Sequence, residues 1–272
     1  MQAGFLDSSQ GAVFYILHPP ATKPVRGCIL YSPPFAEELN KSRRMVALQA
    51  RQLAAAGYAV LLLDLYGCGD SGGEFDTATW SIWQDDLDTA LDYMQQQYAA
   101  PLIVWGMRTG CLLLSDWLNQ RQIQPAATLF WQPVLNGELF LTQFLRLRVA
   151  AGLFSGQKET TAQLRARLDA GETLEVAGYA LNPTLAQQLA ATRLNPPSAG
   201  AVIWLEVSQS DTGTLPPASQ RLVDAWRGQV CGVDAAVVNG EAFWTTQEIS
   251  EVPDLLALTR HYLQSVVGWI KS

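Results

Sequence analysis

The chain has 272 residues, of which 49% are hydrophobic and 16% charged, and it carries a formal net charge of −7. That size and composition suit one large domain, or one domain with an insertion, and argue against a disordered segment. The negative charge argues against non-specific nucleic-acid binding, which depends on clustered Lys and Arg facing phosphates.

Residues 1–10 have no basic start and no long apolar run, so they do not read as a signal peptide. Residues 13–17 read as a strand ending at His18-Pro19-Pro20. Residues 25–31 read as a second strand, apolar enough to be buried on both faces. A helix is expected over 41–56, stopped by Gly57. Residues 59–65 form an apolar strand running into the glycine-rich turn 66–73. The spacing of Trp80, Trp83, Leu87, Leu91 and Met94 predicts a helix over 79–97. A strand at 102–105, a helix at 109–119 and a strand at 127–131 continue the alternation. Parallel strands joined by helices imply a doubly wound α/β sheet.

The alternation breaks at 137–197, bounded by Gly137 and Pro196-Pro197, which shows helical stretches and no convincing buried strand. This segment reads as a mainly helical cap inserted into a core formed by 1–136 and 198–272. Beyond it follow a strand at 201–207, a helix at 217–226, a strand at 231–238 and a helix at 253–270. Nowhere do about 18 apolar residues run uninterrupted, as a membrane-spanning helix requires. Cys28, Cys68, Cys111 and Cys231 are scattered without a CxxC pair. They read as small buried hydrophobes in a reducing compartment, so a cytoplasmic location is expected.

The junction Trp105-Gly106-Met107-Arg108-Thr109-Gly110-Cys111 lies between a buried strand and a helix. In the α/β-hydrolase fold this is where G-x-S-x-G forms the nucleophile elbow. Gly106 and Gly110 keep the spacing such a tight turn needs, and Arg108 stands where serine would be.

The run from Tyr31 through Glu37, Glu38 and Lys41 to Met45 resembles the second hydrolase-type family associated with the exosortase A system. So do Asp64-Leu65-Tyr66-Gly67-Cys68-Gly69-Asp70-Ser71-Gly72 and the stretch from Phe243-Trp244 to Ile249. The resemblance spans nearly the whole chain. It implies an α/β-hydrolase fold and an association with exopolysaccharide production and exosortase-dependent sorting, and it supplies no established reaction.

The triad order of the fold is nucleophile, acid, base. Arginine cannot attack a carbonyl and keeps its proton in a protein. The acid position, after the strand at 201–207, holds Asp211. The base should follow the strand at 231–238, yet the residues from Asn239 to Trp244 include no histidine. His18 ends an early strand, and His261 falls opposite the stripe Leu255, Tyr262, Leu263, Val266 and Ile270 of the last helix, facing solvent. Ser-His-Asp chemistry is therefore expected to be absent. The string Gly69-Asp70-Ser71-Gly72-Gly73 copies the nucleophile segment of chymotrypsin-like proteases, but after a parallel strand it reads as a turn. Asp64 could face a pocket or serve as a structural acceptor.

Arg108 at a helix N-terminus needs a compensating anion. Glu37, Glu38 and Asp211 are the expected carboxylates, in that order, or a bound carboxylate or phosphate could serve. The basic run Lys41, Arg43 and Arg44 is expected to pair with Glu37 and Glu38. Phe35, Met107, Trp131, Phe243 and Trp244 fall near strand ends, where they line a cleft or fill a core between cap and sheet. The candidate ligand-binding set is Phe35, Glu37, Glu38, Met107, Arg108, Thr109, Asp211 and Trp244. No metal-ligand cluster or phosphate-cradling fingerprint appears, so no cofactor is expected. Three roles stay open: a binder of an acidic or acylated small molecule or a partner, a hydrolase of unusual mechanism using Arg108 and a cleft carboxylate, and a scaffold for exosortase or exopolysaccharide machinery. The glycine spacing predicts that Arg108 holds the elbow backbone with φ above zero.

Overall fold

The computed structural model describes residues 1–155, 159–210, 212–229 and 232–270. In chain order the elements are β1 (Gln2–Ser8), β2 (Gly11–His18), β3 (Gly27–Ser32), α1 (Glu37–Ala55), β4 (Tyr58–Leu63), a 3-10 turn (Phe75–Thr77), α2 (Trp80–Gln97) and β5 (Leu102–Met107). Then come α3 (Thr109–Arg121), β6 (Ala127–Trp131), α4 (Gly137–Ser155), α5 (Thr161–Asp169), β7 (Leu174–Val176) and β8 (Tyr179–Leu181). The chain closes with α6 (Pro183–Ala191), β9 (Ala201–Ser208), α7 (Pro217–Arg227), β10 (Val233–Asn239) and α8 (Pro253–Ile270).

Eight strands form one sheet in the order β1-β2-β4-β3-β5-β6-β9-β10. From β4 to β10 the pairs are parallel, and β1 and β2 are antiparallel. This is the α/β-hydrolase arrangement. β3 and β6 are buried at every position, because helices cover both faces of the sheet centre. On one face α2, α3 and residues of 137–197 close the core through Trp83, Leu112, Phe140 and Leu189. On the other, α1 and α8 contribute Met45, Val46, Leu255 and Leu263. His261 is exposed against the ring of Tyr262, as the helical stripe requires. The side chains of Val266 and Ile270, and the residues Asp211 and Cys231, lie outside the described part. Cys28, Cys68 and Cys111 are free thiols.

Three features differ from the expectations. β1 is an additional edge strand, hairpinned to β2 from Gln2↔Leu17 to Ser8↔Gly11. Its positions are only exposed or half-buried, so it lacks the apolar signal of an inner strand. Within 137–197 the short hairpin β7–β8 turns through Ala177 and Gly178, both with φ above zero, as a two-residue hairpin loop requires. Three-residue strands are too short to show a period.

Helix α1, finally, starts at Glu37, four residues earlier than its Ala- and Leu-rich stretch suggests. That puts both acids in its first turn, where the helix dipole favours them. The basic run lies inside the helix and has other partners. Arg43 bonds Asp64 at 3.0 Å, Arg44 bonds Glu251 at 2.7 Å, and Lys41 donates to the Thr245 carbonyl at 3.2 Å.

The 66–73 segment is a turn after β4. Ser71 Oγ donates to the Asp64 carbonyl at 2.5 Å and accepts from the Phe14 amide at 2.8 Å. Asp64 is a structural acceptor, taking the Asp70 amide on Oδ2 at 3.0 Å.

Candidate active site

Strand β5 hands over to α3 through a single residue. Arg108 has φ 55° and ψ −118° and is the N-cap of α3. A Cβ at Gly106 would lie 2.8 Å from Cys111 Cα, and one at Gly110 would lie 2.2 Å from the Ser32 carbonyl oxygen. Both glycines are thus required for strand and helix to approach so closely. The backbone of Arg108 is held from both sides. Its N–H donates to the Trp131 carbonyl at 3.0 Å, and its carbonyl accepts from Cys111 at 3.1 Å and Val134 at 3.2 Å. These bonds maintain a conformation that costs a non-glycine residue about 1–3 kcal/mol.

The side chain turns back toward α1. Arg108 Nε donates to both Glu38 oxygens at 3.2 Å, and Nη2 donates to Oε1 at 3.1 Å. Each side chain is 17% exposed. Burial pushes the Glu38 carboxyl up, and the Arg108 charge and hydrogen bond, with Lys41 behind them, pull it back. Glu37, the first choice from sequence, instead accepts from the Tyr179 hydroxyl at 3.3 Å. On its other side the guanidinium carbon lies 5.4 Å from the centre of the Trp244 ring, within cation–π range. The turn after β10 therefore brings an indole to the elbow, in the part of the fold where the base would be sought.

Other candidates are drawn into the core. Phe35 is buried among Phe75, Trp83, Phe140 and Phe144, with ring centres 5.1–5.9 Å away. Met107 is fully buried. Thr109 is also buried and shares with Phe35 a void of about 10 Å³, room for one water at most. Trp131 is sealed and donates its indole N–H to Thr259 Oγ1 at 2.9 Å, and Phe243 packs edge-on against Trp131 and Trp244. A groove of about 180 Å³ lies beside Arg108, walled by Val134, Leu135, Leu139 and Phe140 and by the polar Asn136 and Gln143.

Asp211, at the acid position, lies outside the described residues. A carboxylate that sequence reading missed is Glu206 on β9. It is buried, takes the Trp204 indole N–H at 2.8 Å, and has the Gln132 amide at 3.4 Å. Burial pushes its carboxyl up, against hydrogen bonds from Ser219 and Trp204 and the charge of Arg108. The only sequence signal was a carboxylate alternating with Trp204 inside an otherwise apolar strand.

Neither histidine reaches the elbow. His18 pairs in register with Val60, at the N-terminal edge of the parallel strands, whereas the elbow lies at their C-terminal edge. Burial, the chain's N-terminal charge and Arg51 lower its pKa. Ser115 is buried and exchanges two hydrogen bonds with the Asn195 backbone, at 2.8 and 2.9 Å. Among the described residues, no group of three or more His, Cys, Asp or Glu could hold a metal ion, and no helix is long and apolar enough to cross a membrane.

A sequence family described as serine aminopeptidase, S33, matches residues 23–190. No curated protein sequence matches the chain. Among solved structures it is similar to Est1E from Butyrivibrio proteoclasticus with ferulic acid bound, at 17% identity and a TM-score of 0.67 over 98% of each chain. It is also similar to α/β-hydrolase domain-containing protein 10 from mouse, at 16% identity and a TM-score of 0.60, covering 98% of this chain and 100% of that one. A lidless α/β serine hydrolase from Xanthomonas campestris matches at 15% identity and a TM-score of 0.57, over 98% of this chain and 93% of that one. At these identities the likeness establishes the fold.

Proposed function

The chain belongs to the serine aminopeptidase S33 family of α/β-hydrolases, and from that membership we propose a member without serine-hydrolase chemistry that acts by binding. The observation that carries this reading is the Arg108–Glu38 pair in the nucleophile elbow. A guanidinium cannot serve as an acyl acceptor, and here its N–H groups are turned onto a carboxylate and its face onto an indole. The adjoining groove supports binding over a vestigial role, since it combines the apolar Val134, Leu135, Leu139 and Phe140 with the polar Asn136 and Gln143, and Arg108 forms one end. An acidic or acylated small molecule, or an acidic side chain of a protein partner, fits that chemistry. The resemblance to exosortase-associated hydrolases supports a protein working beside exopolysaccharide or sorting machinery, and the scattered free cysteines support a cytoplasmic location.

A fluorophosphonate label together with a panel of acyl esters, thioesters and aminoacyl amides tests this reading. The expected result is no labelled serine and no turnover above heat-denatured protein. Turnover accompanied by a labelled serine overturns it. The alternative is a hydrolase in which a carboxylate activates water and Arg108 stabilises an oxyanion, with Glu206, which interacts electrostatically with Arg108, as the candidate carboxylate. Label-free turnover that Glu206→Gln abolishes would select that alternative.

A further inference from the structure

Arg43, from the basic run of α1, and the glycine-rich turn after β4 take no part in the elbow, yet they meet in space. Arg43 Nη2 bonds Asp64 Oδ2 at 3.0 Å, and the Asp70 amide reaches the same oxygen at 3.0 Å. Gly69, with φ 57°, closes the turn over this pair. A Cβ there would lie 2.0 Å from Asp64 Oδ2 and 2.6 Å from Arg43 Nη2. The turn thus holds Asp64, and Asp64 aims Arg43. The Arg43 side chain is 43% exposed, and none of the described residues takes a hydrogen bond from its Nε or Nη1.

Beside the pair lies a cavity of about 150 Å³. Phe14, Ile16 and Leu62 wall it from the sheet, and Leu39, Val46 and Ala47 wall it from α1. Aliphatic and aromatic walls around this volume can accept a benzene ring. The three sheet residues are only half-buried, because α1 covers β4 and leaves the β2 side of that face open. The apolar surface continues outward to Phe5, which is 60% exposed and packs edge-on against Phe14 at 5.4 Å. Packing within the chain does not account for this surface.

We propose that this cavity binds a small amphipathic carboxylate, a single ring or short alkyl chain lodged against Phe14, Ile16 and Leu62 with its carboxylate on the free N–H groups of Arg43. Arginine offers a planar fork that matches a carboxylate, and the Asp70 amide shares with Arg43 the task of satisfying Asp64. The site is separate from the groove at Arg108 and does not depend on how the elbow is read.

Titration calorimetry of the full chain with benzoate and with benzamide tests the proposal. Benzoate should bind saturably, one per chain, and benzamide about fivefold or more weaker, because the charge-assisted contact is lost. Arg43→Gln should bring benzoate down to the benzamide level. Ala47→Phe fills the cavity from the helix and should weaken benzoate about tenfold or more, the loss expected when an apolar pocket closes. Ile16→Trp fills it from the sheet, and thermal melts establish that at least one filled variant is folded. The double variant Glu38→Gln/Arg108→Met, which removes both charges at the elbow, should leave benzoate affinity unchanged. Absence of saturable binding, equal affinity for acid and amide, or full affinity in a folded filled variant overturns the proposal. So does a change in affinity caused by the elbow variant, since the ligand would then sit at Arg108.

Discussion

Arg108 and Ala36 hold nearly the same backbone conformation, φ 55°, ψ −118° and φ 52°, ψ −127°. Each is the N-cap of the helix that leaves one of two adjacent strands, β5 and β3. Neither is glycine, so both turns carry strain that the surrounding packing must hold. The shared geometry places the first turn of α1 alongside that of α3, and Glu38 thereby reaches Arg108.

Replacing Ala36 with glycine should relieve that strain. The variant is expected to gain roughly 1 kcal/mol, the strain released minus the extra chain entropy glycine brings to the unfolded state. Urea denaturation measures it. A clear loss of stability would mean that the Ala36 methyl contributes more through packing than the turn costs.

Arg108→Ser should remain inactive on p-nitrophenyl acyl esters. The new hydroxyl, much shorter than the side chain that reaches Glu38 and Trp244, would have no histidine to take its proton. Steady-state assays beside a heat-denatured control decide this. Appreciable turnover in the single variant would reveal a base that the elbow geometry does not display.

Glu38→Gln should destabilise the fold by roughly 1–3 kcal/mol, because it leaves a largely buried guanidinium without its counter-charge. Adding Arg108→Met to that variant should recover most of the loss, since no charge then remains to be compensated. The two denaturation curves settle the matter. A single variant as stable as the parent would show that the pair contributes nothing.

Asp86 supplies a pH test away from the elbow. It is fully buried, accepts from Ser8 Oγ at 2.5 Å and from the Tyr66 amide at 2.8 Å, and burial raises its pKa from an ordinary 3.8 to about 6. Because the folded value lies above the unfolded one, the protonated carboxyl favours the fold. That contribution is complete below about pH 3.8 and is lost as pH rises through about 6. The loss amounts to at most ~3 kcal/mol. Asp86→Asn does not ionise, so its stability should improve relative to the parent between pH 4 and pH 7. Paired unfolding experiments at those two values would show no such change if Asp86 ionises freely in the fold.

The sequence by itself determined whatever a few neighbouring residues control. The inner strands announce themselves as apolar runs, α2 as a row of large side chains at helical spacing, and the elbow as Gly106 and Gly110 around Arg108. Each is a local consequence of backbone period or of missing Cβ atoms. The positive φ at Arg108 was legible for the same reason. Which carboxylate meets Arg108 was not. That depends on where α1 begins, and one residue along a helix turns a side chain by about 100°, so Glu38 faces the elbow and Glu37 faces Tyr179. The basic run likewise finds its partners 21 residues away at Asp64 and 207 away at Glu251. Trp244 meets Arg108 because the sheet order carries the turn after β10 to the same edge as the elbow. Such pairings are decided by strand order and helix rotation, which the tertiary structure sets through packing between residues far apart in the chain.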